Sequence, residues 1–183
     1  MHSYEDAWQN SCKAESGQKW LKVDTQPNAS PVEPPRGSFS AHVDEKGRLK
    51  LPVNFQEYLG TFGDDKLYAT SVDNRIARIY PISVWKGNEK ILEDLAMENP
   101  DASEDLNLLT NHYGADAKVD PQGRVTLPTD LRRALGLENQ EVRLDWSQSA
   151  INVYSMAEYE ARMRRARENA ADKLKAAKLK GFK

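Results

Sequence analysis

Two stretches of this chain are copies of one another. VDEKGRLKLPVNFQEYLG at 43–60 aligns without a gap on VDPQGRVTLPTDLRRALG at 119–136, an offset of 76. Eight of the eighteen positions are identical, among them Asp44/Asp120, Gly47/Gly123, Arg48/Arg124 and Pro52/Pro128. Downstream, Ile79-Tyr80 matches Val153-Tyr154 at an offset of 74, so one short deletion follows the shared core. A duplicated supersecondary unit is the economical explanation. A unit of roughly 45 residues buries too little apolar surface to be stable alone. The two copies are therefore expected to interlock.

Each copy can be parsed locally. Around the shared core, short alternating segments (SFSAHVD and RLKLP; ADAKVD and RVTLP) have the period of half-buried strands. Asp44 and Asp120 can bond backbone groups two or three residues on, and Gly47 and Gly123 tolerate positive φ, so DEKG and DPQG are expected to be tight turns. Pro52 and Pro128 suit a first helical position, and Gly60 and Gly136 suit a helix stop. Two further strands follow in each copy, KLYATS and RIARIY, then EVRLDW and AINVY. A helix closes each, with Pro81 at the start of the first and a Ser155-x-x-Glu158 capping box opening the second. The order is ββαββα, given twice, and the class is mainly β with flanking α.

Residues 1–35 carry Pro27, Pro31, Pro34 and Pro35 with few aliphatics, and are expected to be a flexible extension. The first unit then covers 36–82, linker helices 83–113, the second unit 114–157 and a basic helical tail 158–183. Within the linker, 97–113 is expected as one acidic helix, and 156–180 as one long basic helix. The net charge of -2 conceals this unevenness. Segment 91–116 has seven Asp and Glu and no Lys or Arg, whereas 161–183 has nine Lys and Arg against two acids. Local field rather than net charge steers a polyanion, so DNA is not excluded. The bland reading of the tail is a solvated helix.

Other classes are disfavoured. Mean hydropathy is -0.76, and no apolar run approaches the ~18 residues of a membrane helix. The first residues show neither the basic nor the apolar region of a signal peptide. A single cysteine, Cys12, three scattered histidines and the lack of CxxC or HExxH give no metal site. No cofactor, membrane partner or small-molecule substrate is expected, and the expected location is cytoplasmic. One Asp per repeat invites comparison with a carboxylate dyad, but each is followed three residues on by Gly and then Arg. That arginine lowers a carboxylate's pKa, the wrong direction for an acid catalyst. No catalytic residues are assigned.

Binding chemistry fits better. Arg48 follows a turn glycine at a strand start, where its planar fork can meet a phosphate or a guanine edge. Lys46 and Lys50 flank it at alternating positions. Arg124 is its counterpart, with the uncharged neighbours Gln122 and Thr126. The competing reading is that each arginine pairs with its turn aspartate, Asp44 or Asp120, and merely locks the turn. Arg132 and Arg133 are expected on a solvated helix face.

The two DxxGRxxLP cores, the Arg36-Gly37 pair before the first, and Tyr80-Pro81 before a Trp-bearing helix resemble the MraZ family. These are bacterial transcriptional regulators built from two tandem SpoVT/AbrB-type units, and the resemblance covers about 36–165. It implies a swapped-hairpin β-barrel with pseudo-two-fold symmetry and a ring-shaped homo-oligomer. It also implies a nucleoid-associated protein that binds duplex DNA at repeated sites upstream of division and cell-wall genes. Arg36 joins Lys46, Arg48, Lys50 and Arg124 as an expected DNA contact, while Asp44, Gly47, Asp120 and Gly123 are expected to shape the turns. An AbrB-type antitoxin is the alternative, although that class normally carries one unit.

Overall fold

The computed structural model describes residues 32–168 and 170–183. The flexible extension expected over 1–35 therefore lies, but for its last four residues, outside the described residues. The first copy forms β1 (Phe39–Val43), β2 (Arg48–Lys50), α1 (Val53–Gly60), β3 (Lys66–Thr70) and β4 (Ala77–Pro81). Helices α2 (Ile82–Glu98) and α3 (Pro100–His112) lead to the second copy. That copy forms β5 (Ala115–Lys118), β6 (Arg124–Thr126), α4 (Thr129–Ala134), β7 (Gln140–Ser147) and β8 (Ala150–Ser155), followed by α5 (Met156–Arg167) and α6 (Ala170–Leu179).

All eight strands join one antiparallel sheet in the order β5-β3-β4-β8-β7-β1-β2-β6. Its edge strands, β5 and β6, are joined by the second tight turn, so the sheet curls into a nearly closed barrel. Each strand of one copy pairs with a strand of the other: β1 with β7, β2 with β6, β3 with β5 and β4 with β8. The registers reveal the internal symmetry. Leu49 faces Val125, and Arg78 faces Asn152. These are equivalent residues of the two copies, so an approximate two-fold axis passes through both pairs. The fold is the swapped-hairpin barrel that the resemblance implies.

This crossing explains how two small units share one interior. A single cluster draws Leu49, Leu51, Phe55, Leu67 and Ile79 from the first copy and Val125, Leu127, Leu131, Leu144 and Ile151 from the second, all essentially unexposed. Strands β4 and β8 are buried along most of their length, with α2 and α5 packed against them. Each buried Leu, Ile or Phe contributes about 1.5–3 kcal/mol. That interior is complete only when both copies contribute their share.

Several helix boundaries differ from the sequence-based expectation. Pro52, Pro128 and Pro81 flank their helices rather than beginning them, with ψ between 139° and 149°. Proline's fixed φ suits both positions, and here the Pro52 carbonyl accepts from Phe55 and Gln56. Gly136 takes φ +62° just beyond α4, but Gly60 stays in the last turn of α1 and the left-handed residue comes at Gly63, φ +70°. The acidic helix starts at Pro100 instead of 97, because the Asn99 side chain accepts from Ala102 N at 3.2 Å and caps it. The long basic helix is two helices. Glu168 leaves helical geometry (φ -62°, ψ 128°), and Lys173 Nζ donates to the carbonyls of Arg165 and Glu168 at 3.0 and 2.9 Å, capping the end of α5. Among the described residues no helix is long and apolar enough to cross a membrane.

Candidate nucleic-acid interface

The two tight turns are built identically. In the first, Asp44 Oδ1 accepts from the backbone N–H of Lys46 (2.9 Å) and Arg48 (2.8 Å), and Gly47 adopts φ +78°. In the second, Asp120 Oδ1 accepts from Gln122 and Arg124 N–H, both at 2.9 Å, with Gly123 at φ +73°. A short polar side chain bonding forward and a residue free of Cβ strain are what such a reversal requires.

Each turn delivers its chain into one short strand of the β2–β6 ribbon. Arg48 lies opposite Thr126, Leu49 opposite Val125, and Lys50 opposite Arg124. The central pair is buried, so alternation puts Arg48, Lys50, Arg124 and Thr126 on the outer face. The turns are also tied to the opposite strands: Leu51 N donates to Gly123 O at 3.0 Å, and Leu127 N to Gly47 O at 2.8 Å. Four sequence-predicted cations (Lys46, Arg48, Lys50 and Arg124) thus share one two-stranded ribbon. Arg36 does not join them. It precedes β1 while the turn follows it, and it pairs with Glu33 at 2.5 Å. Five strand residues, roughly 16 Å of extended chain, intervene.

The arginines serve the turns directly. Arg48 Nε and Nη2 both lie 2.6 Å from Asp44 Oδ2, and Arg124 Nε and Nη2 lie 2.8 and 2.7 Å from Asp120 Oδ2. The hydrogen bond from Arg48 and the backbone bonds hold the Asp44 carboxyl at about 2, below its ordinary 3.8. The side-chain bond from Arg124 lowers Asp120 in the same way. Both carboxylates are fixed anions, the opposite of a dyad that must share a proton. Each arginine side chain nonetheless remains about one-third exposed, and Arg124 Nη2 also donates to Gln122 Oε1 at 3.1 Å. Lys46 and Lys50 have no carboxylate within ion-pair distance among the described residues; Lys50 Nζ donates to the Gln122 carbonyl across the ribbon.

One structural pair escaped the sequence reading. Arg132, expected on a solvated face, has a side chain only 14% exposed. Its Nη1 donates to Leu127 O at 3.0 Å and its Nε meets Glu138 at 2.9 Å. A Cβ on Gly47 would lie 2.7 Å from that guanidinium, so Arg132 braces the turn of the other copy. Its repeat equivalent, Gln56, donates to Leu51 O at 2.7 Å and presses in the same way against Gly123. The signal was present as a matched position, 56 and 132 at the offset of 76, but their residue types differ. Arg133 is 67% exposed, as a solvated residue should be. Among the described residues no cluster of His, Cys, Asp or Glu could hold a metal ion.

Comparison with known proteins agrees with this architecture. Residues 114–181 match the family model of the MraZ protein, described as antitoxin-like. The "Transcriptional regulator MraZ" of Koribacter versatilis (strain Ellin345) is 38% identical over 106 residues, covering 57% of this chain and 71% of the relative. That of Acidobacterium capsulatum is 38% identical over 99 residues, 54% of this chain and 67% of the relative. The protein of the same name from Marinomonas sp. (strain MWYL1) is 32% identical over 128 residues, 69% of this chain and 83% of the relative. With a doubled turn motif, a strand-swapped barrel and this extent of shared sequence, the chain belongs to the MraZ family.

Proposed function

We propose that this protein is a transcriptional regulator that contacts duplex DNA through the β2–β6 ribbon and its two turns. The sites are repeated sequences upstream of division and cell-wall genes, and several protomers of a closed homo-oligomer engage them together. The observation that carries the reading is the ribbon itself. It sets Arg48, Lys50 and Arg124 on one outward face with Lys46 at its end, on rigid backbone pinned by both turns. A two-stranded ribbon fits the width of a major groove. One such contact is weak, and adjacent protomers on repeated sites multiply it. The relatives' shared name, transcriptional regulator, supports the same role and not a catalytic one.

The paired geometry separates two parts played by Arg48. Lys46 and Lys50 supply charge that no carboxylate takes up, whereas Arg48 both locks Asp44 and presents its outer edge. The test is binding to a labelled duplex from the region upstream of those genes, at two salt concentrations. Replacing Lys46 and Lys50 together by Ala is expected to flatten the salt dependence by about 0.9 log units per lost phosphate contact, leaving the fold intact. Arg48→Ala loses affinity and loosens the turn, and Arg48→Lys restores charge without the bidentate clamp. Unchanged affinity and salt slope in the double lysine variant would move the DNA surface elsewhere.

A further inference from the structure

The ribbon leaves two strongly charged parts of the molecule without a role. One is the α2–α3 hairpin, whose segment 91–116 has seven carboxylates and no cation. The other is α6 with the residues after it, which carries Lys173, Lys175, Lys178, Lys180 and Lys183. The ion pairs among the described residues involve neither of them.

Both parts also show apolar groups to solvent. Tyr80 of β4 lines a cavity of about 380 Å³ with Trp85, Ile91 and Leu92 from α2 and Leu106 from α3; Arg78 also reaches it, its charge paired with Asp73 at 3.3 Å. Ile91 is 64% exposed, and Leu108 and Met97 protrude from the same hairpin. On the tail, no residue of α6 is buried; Leu179 is 83% exposed and Phe182 63% exposed. The root of the tail is fixed, because Glu158 of α5 takes Arg162 at 2.7 Å, Arg75 of the first copy at 3.4 Å and Arg165 at 3.5 Å. An apolar recess beside a hairpin rich in unpaired carboxylates selects a cationic amphipathic segment.

We infer that α6 and Phe182 of one protomer dock on the α2–α3 hairpin of a second copy of this chain. Lysines of the tail meet the carboxylates of the hairpin, and Leu179 and Phe182 enter the recess beside Trp85. Donor and acceptor surfaces differ, so the contact is heterologous and propagates from protomer to protomer until it closes. The inference deepens the self-association proposed above by naming its surfaces, and it rests on that association.

Sedimentation of the full chain, with masses compared to the 20.7 kDa of one protomer, tests it. Raising the salt from about 0.05 to 0.5 M, which shortens the reach of charge severalfold, is expected to weaken association. The tail variant Lys175→Glu/Lys178→Glu/Lys180→Glu and the hairpin variant Glu89→Lys/Glu93→Lys/Glu104→Lys each associate at least about tenfold more weakly. These positions are exposed, and Lys173, which caps α5, is left in place. Mixed in equal amounts, the two variants regain the wild-type mass, because each reversed surface now finds its complement. Phe182→Ala weakens association at every salt concentration. A wild-type protein that sediments as a monomer overturns both this inference and the proposed assembly. A wild-type oligomer whose variants keep their mass, or whose mixture fails to recover it, overturns the docking alone. Variants that assemble normally but lose DNA affinity assign the tail to DNA instead.

Discussion

At Asp44 a single carboxylate organises the turn that starts β2, accepting two backbone N–H groups with one oxygen and the Arg48 guanidinium with the other. Because these bonds favour the anion, its folded pKa lies below its ordinary value. The stabilisation is then complete above 3.8 and disappears as the pH falls toward 2. A carbon-detected NMR titration of the side-chain carboxyl is expected to show a midpoint near 2 in the wild type and a clear rise in Arg48→Ala. A midpoint left near 2 in that variant would mean that the backbone bonds alone hold the anion. The DxxGR motif made this turn legible from sequence, since Asp and Gly at that spacing have few other uses. What the letters withheld was the arginine's first partner. A guanidinium beside a carboxylate four residues away can face inward or outward, and only the backbone path decides which.

The elements are held by contacts that cross between copies. Arg132 on α4 braces the β1–β2 turn, so Arg132→Ala removes hydrogen bonds to Leu127 and Glu138 together with the support under Gly47. The expected loss is about 1–2 kcal/mol in urea unfolding, whereas Arg133→Ala one residue on should stay within ~0.5 kcal/mol. Equal effects would contradict the bracing role. Periodicity could not find this brace, because the neighbour of Arg132 is a turn some eighty residues away in sequence. The helix breaks divide in the same manner. Asn99-Pro100 carries a boundary signal, an Asn cap before a first-turn Pro, yet the helix expected over 97–113 runs through it. The break at Glu168 has no glycine or proline beside it, and its sign is a lysine bond to two carbonyls that exists only in three dimensions.

At the largest scale, the strands of the described residues form one sheet, because every inter-copy strand pair is also a pair of repeat partners or their mirror. The sequence announces two units, and the structure returns one body with a shared interior. Unfolding is accordingly expected as a single transition, coincident by tryptophan fluorescence and far-ultraviolet circular dichroism. Leu49→Ala, at the centre of the axis opposite Val125, should lower stability by about 2–5 kcal/mol and shift both signals together. Two separated transitions would show that the copies melt independently. Which strands pair was hidden from sequence analysis, because an alternating segment records that one face is buried and not whose strand lies beside it.

The β2–β6 ribbon is symmetric in its backbone and unequal in its side chains. Lys46 and Lys50 of one copy stand where the other has Gln122 and Thr126. A perfectly symmetric reader would see the same duplex in either orientation and would favour palindromes. The two ends of this ribbon carry equal charge, Lys46 and Arg48 at one and Lys50 and Arg124 at the other, but arrange it differently, so under the proposed function it would give bound DNA an arrow. Protomers joined by one repeated contact would all carry that arrow the same way, and the sequence they suit is one motif written several times in a single direction.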